Sequence, residues 1–191
     1  MSHARHAPPE PLAAEPNERL VERAQRGERE AFAALYDRYL PRVYGYCYRL
    51  LGSRGAAEDA TADVFMRALI ALPAYRAGSF RPWLFTIAHN VIIDHRRRRR
   101  GESLTAAIET ADPAPSPEAA AIASAERAAL HAALPLLSAE QQHVVALRLA
   151  GLSAAEIGEA LGKPRGAVDA LQHRAVVRLR ALLATGAEAA T

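Results

Sequence analysis

Cysteine, lysine and tryptophan each occur once in the 191 residues, as Cys47, Lys163 and Trp83. A single cysteine excludes an internal disulfide and any multi-cysteine zinc site, and it suits a reducing compartment. No apolar run approaches the roughly eighteen uninterrupted residues that a transmembrane helix needs. The opening MSHARHAPPEPLAAEPNE lacks the apolar core of a signal peptide. The expectation is a cytoplasmic chain without membrane insertion. Aromatic residues are missing from the second half: all eleven lie between Phe32 and Phe85. Neither an internal repeat nor an alternating strand pattern is present, so the chain is expected to be all-α. With one lysine beside twenty-three arginines and much alanine, the composition points to a GC-rich genome more than to a mechanism.

The net charge is only +3, but it is unevenly spread. Residues 17–100 hold sixteen arginines against nine acids, residues 101–126 hold five acids and no base, and residues 127–191 hold seven bases against five acids. Two basic blocks thus flank an acidic spacer. Clustered arginine is the electrostatic footprint of polyanion binding, although a solvated surface has the same composition.

Helical spacing divides the first block. Residues 1–16, with four prolines, read as a loose tail. Asn17 is placed to cap a helix through Leu20, Val21 and Ala24 that stops near Gly27. Phe32, Leu35, Tyr36, Tyr39, Val43, Cys47 and Leu50 recur at three- and four-residue steps, an amphipathic helix expected to bend at Pro41 and end at Gly52. A third helix carries Ala57, Thr61, Val64, Phe65, Ala68 and Leu72 on one side and Glu58, Asp59, Asp63 and Arg67 on the other. Tyr75 to Ser79 reads as a loop bracketed by Pro73 and Gly78. A fourth helix carries Phe80, Trp83, Leu84, Ile87, Ala88 and Val91 and runs into Arg96–Arg100. Gly101 to about Ala120, including DPAPSP, reads as a linker. The architecture expected is two small helical domains, at 17–100 and 126–185, joined by a flexible acidic linker over 101–125, with a second tail at 186–191.

The second block reads LLSAEQQHVVALRLAGLSAAEIGEALGKPRGAVDALQHRAVVRLRALL over 136–183. Ser138 and Glu140 open one helix, which ends at Gly151. Ser153 caps a short helix that ends at Gly162, and Pro164 stands near the first turn of the next, where its missing N–H is harmless. Ile157, Leu161, Val168 and Leu171 form a shared core. Two helices joined by a tight glycine-containing turn make a helix-turn-helix whose second helix enters the major groove; the competing possibility is a plain helical hairpin with a charged outer face. The exposed side of that helix holds Arg165, Asp169, Ala170, His173, Arg174 and Arg178. Arginine can bond a phosphate or a guanine edge, and aspartate can accept from the cytosine amino group.

The first block ends in AEDATADVFMRALIALPAYRAGSFRPWLFTIAHNVIIDHRRRRR. Its acidic helix face suits a basic protein surface, its aromatics can stack on unpaired bases, and its arginine run can hold a nucleic-acid backbone. Phe85 reads as core. Phe80 and Trp83 are open to both a core and a stacking role, and Arg96–Arg100 can equally be a solvated helix end.

On these residues the chain resembles the extracytoplasmic-function sigma factors of the sigma-70 family. Residues 19–100, with AED-T-DVF-RA followed by W-L-TIA-N--ID--RRRR, resemble their region two, and residues 127–183 are similar to their region four, about three quarters of the chain together. The resemblance implies a subunit that binds RNA polymerase core, recognises and helps melt promoter DNA, and has neither enzymatic activity nor a cofactor. Asp59, Asp63, Phe65 and Arg67 would dock on the beta-prime clamp helices, with the beta flap as a further contact and an anti-sigma factor as a regulatory partner. Tyr75, Ser79, Phe80, Trp83, Asn90, Arg96, Arg97 and Arg98 would open and read the minus-10 element, with a flipped base near the Tyr75–Phe80 loop and Asn90. Arg165, Gly166, Asp169, Ala170, His173, Arg174 and Arg178 would read the minus-35 element. The sequence departs from the family at Ala62-Asp63, where Gln-Glu is frequent, and at Ala167, Asp169 and Ala170, where Ser, Thr or a base is frequent.

Two other readings compete. A helix-turn-helix regulator that is not a sigma subunit would need a ligand or phosphoacceptor domain, and residues 19–100 offer no Asp-bearing strand. A nucleic-acid enzyme would need metal-binding carboxylates or a nucleophile–base pair. Glu58, Asp59 and Asp63 lack a histidine partner on their face, and His89 and His95, six apart on a helix, share no face.

Overall fold

The computed structural model describes residues 12–76, 78–102, 130 and 132–188. Among these there are seven α-helices and no strand: α1 (Asn17–Gln25), α2 (Arg29–Leu51), α3 (Arg54–Ala71), α4 (Phe80–Glu102), α5 (Ala139–Leu149), α6 (Ala154–Leu161) and α7 (Arg165–Glu188). Short 3-10 turns occupy Leu12–Ala14, Leu72–Ala74 and Leu134–Leu136. No described helix is long and apolar enough to cross a membrane. The acidic linker read over 101–125 falls outside the described residues except for 101 and 102, which extend α4, and so do tail residues 1–11 and 189–191.

The apolar periodicity becomes the core as expected. Leu35, Tyr39, Val43, Tyr46, Cys47 and Leu50 of α2 pack with Val64, Phe65 and Ala68 of α3 and with Leu84, Phe85, Ala88, Val91 and Ile92 of α4. Burial on this scale is the main stabilising term. The helix α2 continues through Pro41, which lies on its exposed side.

The start of the domain differs from the sequence reading. Pro16, not Asn17, holds the cap position, and no side chain caps α1. Asn17 is the first helical residue; its amide donates to the Tyr39 hydroxyl at 2.7 Å and its carbonyl accepts from Arg38. A cap would use the Asn17 side-chain oxygen as acceptor, and Arg38 holds that oxygen instead. Residues 12–16 are likewise part of the fold. Glu15 is buried and bridged to Arg19 and Arg23.

The second domain packs α5 and α6 on α7. A small cluster of Leu134, Leu137, Val145 and Ala175 closes one side. Its other apolar residues, Val144, Leu147, Leu152, Ile157, Val168 and Leu171, are continuous with the core of the first domain. The two cores read separately from the sequence therefore merge, through α6 against α4 and α5 against α2.

Candidate nucleic-acid interface

The helix-turn-helix is built by local chemistry. Ser138 with Gln141 and Ser153 with Glu156 each form a complete capping box, satisfying backbone donors at the starts of α5 and α6. Gly162 ends α6 at φ +63, the left-handed conformation that glycine adopts without steric cost. Gly158 is buried inside α6, and a Cβ there would lie 2.6 Å from the Lys163 carbonyl oxygen. The turn can approach α6 only because residue 158 has no side chain.

This turn aims α7. Val168, Leu171 and Ala175 face inward, while Arg165, Gly166, Asp169, Ala170, His173, Arg174 and Arg178 are all exposed. Asp169 stands 3.7 Å from Arg165, one helical turn before it on the same face. An open cleft of about 660 Å³ runs along this face, and Arg148 and Arg180 also line it. Neither was among the residues singled out from the sequence. Arg180 had a signal, since it lies seven residues beyond His173, two helical turns along the same face.

In the first domain, the loop after α3 is held by α1. The Gln25 side-chain amide donates to the carbonyls of Leu72 at 2.9 Å and Tyr75 at 2.8 Å. The Tyr75 hydroxyl donates to the Gly78 carbonyl at 2.7 Å, closing the loop on itself. The loop borders a cleft of about 500 Å³ against α1, with Glu18, Glu22, Tyr75 and Phe80 on its walls. Tyr75, Phe80 and Trp83 form one aromatic cluster, with Tyr75–Trp83 and Phe80–Trp83 ring separations of 4.9 and 5.4 Å. Within it Phe80 is buried and lies edge-on to Tyr39, so in this conformation it supports the loop, whereas Trp83 is half-buried. Phe85 is core, as read. Ser79, Asn90, Arg97 and Arg98 are exposed. Arg96 instead turns toward the second domain and donates to the Leu50 carbonyl and to Gln142 Oε1 at 2.8 Å.

The acidic side of α3 is more tied down than its sequence suggests. Asp59 is exposed. Asp63 accepts from His95 Nε2 at 3.0 Å and has Arg98 at 3.7 Å. Arg67 donates to Asp94 at 2.9 Å, and that pairing holds the Asp94 carboxyl below the usual carboxylate range. Phe65 is buried against Tyr36 and presents no open ring face. Beside these acids Met66, Leu69 and Ile70 are exposed, an apolar surface outside the buried stripe of α3. Patches of this kind, rimmed by charge, mark protein contacts. Among the described residues, no group of three or more His, Cys, Asp and Glu side chains is placed to hold a metal ion.

Polar links cross between the domains as well. Arg81 donates to Glu156 Oε1 at 2.8 Å and to the Gly151 carbonyl at 3.2 Å. The fully buried Tyr46 hydroxyl meets His143 Nδ1 at 2.7 Å, and His89 Nδ1 lies 3.1 Å from the same nitrogen. No local sequence signal joins residues 97 positions apart.

Comparison with known proteins fits this geometry. Residues 35–102 match the family model for Sigma-70 region 2, and residues 127–179 match that for Sigma-70 region 4. The chain is 44% identical over 175 residues to the ECF RNA polymerase sigma factor BldN of Streptomyces coelicolor, covering 86% of this chain but 64% of that protein, less than two thirds of its length. It is 34% identical over 177 residues to the ECF RNA polymerase sigma factor ShbA of Streptomyces griseus, covering 85% of this chain and 93% of that one. The structure of the sigma factor RpoE in complex with the anti-sigma factor NepR from Bartonella quintana superposes with a TM-score of 0.68 at 26% identity, over 80% of this chain and 96% of that one.

Proposed function

Because the chain belongs to the extracytoplasmic-function group of RNA polymerase sigma factors, we propose that it binds polymerase core in the cytoplasm and directs it to a specific set of promoters. The observation that carries this reading is the pairing, in family order, of a helix-turn-helix with an exposed basic face and a helical domain whose aromatic loop borders a cleft. The chain performs no catalytic step of its own; the polymerase supplies the chemistry.

The division of labour follows from the side chains available. The α3 surface, with Asp59, Asp63 and Arg67 beside exposed Met66, Leu69 and Ile70, docks on the beta-prime clamp helices. An apolar centre with a charged rim is the composition of a protein interface. The Tyr75–Ser79 loop, Trp83 and Asn90 open the minus-10 element and hold an unstacked base, while Arg97 and Arg98 grip phosphates. The exposed face of α7 reads the minus-35 element. An anti-sigma factor, the kind of partner with which RpoE of Bartonella quintana forms a complex, holds the chain inactive until its signal arrives. The beta flap is the natural contact of the second domain on the polymerase.

Transcription reconstituted from purified core, this chain and a library of promoter fragments tests the reading. Transcripts that require both proteins, and whose 5′ ends share two upstream elements, are the expected outcome. Initiation at random positions, or none, would exclude it.

A further inference from the structure

The boundary between the domains contains a histidine pair that, among the described residues, has no partner of opposite charge. His143 of α5 and His89 of α4 meet through their Nδ1 atoms at 3.1 Å, with ring centroids 4.4 Å apart. One such nitrogen must carry a hydrogen and the other a lone pair, so the contact holds only while at least one ring is neutral. The surroundings reinforce this. From α2 come the Tyr46 hydroxyl on His143 and, behind it, Cys47; from α4 comes Arg96; from the turn before α7 comes Lys163. Arg96 and Lys163 are cations. Lys163 is paired with Glu140, and Arg96 bonds Gln142 and the Leu50 carbonyl. Tyr46 is fully buried, which raises its hydroxyl well above the usual phenol range, so it supplies no negative charge.

We propose that the His89–His143 pair is an acid-released latch: proton uptake by the facing rings separates the helix-turn-helix domain from α2 and α4. The closed arrangement accepts protons poorly. Burial, then His89 and then Arg96 lower His143 to about 3, and burial, then Lys163 and Arg96, lower His89. Once the domains part, both rings face water and return toward the ordinary histidine value of about 6.5. The open form then binds more protons than the closed form at every pH between those values, so acidification favours opening. The closed form keeps its full advantage above about pH 6.5 and loses it progressively below. From pH 7.5 to 5.5 the open-to-closed ratio rises about tenfold through His143 alone, and further through His89. The Arg81–Glu156 ion pair across the same boundary does not titrate in this window. Burial raises the Glu156 carboxyl, but bonds from Ser153 and Arg81 outweigh that and hold it below its usual value.

The consequence for transcription rests on the proposed function, but the separation can be measured without polymerase or DNA. Single-molecule energy transfer between dyes on E30C and R178C counts open and closed molecules in the full chain. Cys47 is fully buried, with its thiol pushed up to about 12, and does not compete for label. The wild type should open about tenfold or more between pH 7.5 and 5.5, His143→Gln should respond less, and the double variant with His89→Gln should be flat, at unchanged helicity. NMR titration of the His143 ring in the wild type should follow the same pH course, and it keeps the test intact if a variant fails to fold. A wild-type ratio that does not move, a double variant that keeps the wild-type slope, or a ring that titrates near pH 6.5 while the domains stay closed would each overturn the latch.

Discussion

Glu156 serves two helices at once: it closes the capping box of α6 on Ser153 and accepts from Arg81 of α4 at 2.8 Å. The first role needs only an acceptor, whereas the second uses its charge. Glu156→Gln should therefore keep α6 and loosen the domain contact, since glutamine also completes a capping box. A partly exposed ion pair contributes up to about 1 kcal/mol, or roughly fivefold in an equilibrium. Under the proposed function, free-chain affinity for single-stranded minus-10 fragments should rise by up to that factor in an anisotropy titration. Unchanged affinity would mean that the closed contact does not compete with DNA.

Gly158→Ala tests the turn. A methyl group aimed at a backbone oxygen 2.6 Å away forces the turn to move. Overpacking of this kind costs about 1–3 kcal/mol. The expected result is a lower melting temperature with duplex binding by α7 reduced together with it. A variant as stable as the wild type would show that the turn relaxes freely.

Asp169 stands next to buried Val168 and 3.7 Å from Arg165. Orienting an arginine and accepting from cytosine are both specificity roles; occupying an early helical turn is only a dipole role. Asp169→Lys should change the preferred minus-35 sequence when holoenzyme selects from randomised DNA. Uniformly tighter binding with steeper salt dependence and the same selected motif would assign Asp169 to the dipole alone.

The α4 side chains divide by exposure. Asn90 is exposed, and Asn90→Ala should lower discrimination among minus-10 variants by about 1–3 kcal/mol while leaving thermal stability unchanged. Phe80 is buried against Tyr39, so Phe80→Ala should instead unfold the loop region, at a cost of about 3–5 kcal/mol. Trp83, half-buried between them, should show part of each effect. Denaturant titrations beside promoter competition assays separate the two.

The helix-turn-helix was legible because its signals are local. Ser153, Gly162 and Pro164 act on neighbouring peptides, and Ile157, Val168 and Leu171 are buried as their spacing required. The helical faces of the first domain were legible for the same reason. What the sequence left open was whether Phe80 packs or stacks. It is buried edge-on to Tyr39, a residue forty-one positions away that no local pattern brings near. Asn17 does not cap because Arg38, twenty-one residues away, bonds the side-chain oxygen that a cap would use. The contact of α4 with α5 and α6 left no trace in any window, since His143 reads as one polar residue in an apolar helix until Tyr46 and His89 are brought against it.

Cys47 gives a direct check on the first domain. The thiol is buried, and burial raises it to about 12 in spite of its bond with Thr61. Alkylation under native conditions should be slow and should accelerate only with unfolding. Rapid labelling of the folded wild type would contradict the packing of α2 on α3.

The merged core has a thermodynamic meaning. Val144, Leu147 and Ile157 share one apolar interior with Tyr46, Phe85 and Ile92, so melting either domain in the closed chain exposes surface belonging to both. Such a chain should unfold as one cooperative unit, with calorimetric and van't Hoff enthalpies in agreement and a single denaturant slope that reflects the area of the whole. Once the domains part, each should carry its own smaller heat-capacity increment, and the single endotherm should resolve into two.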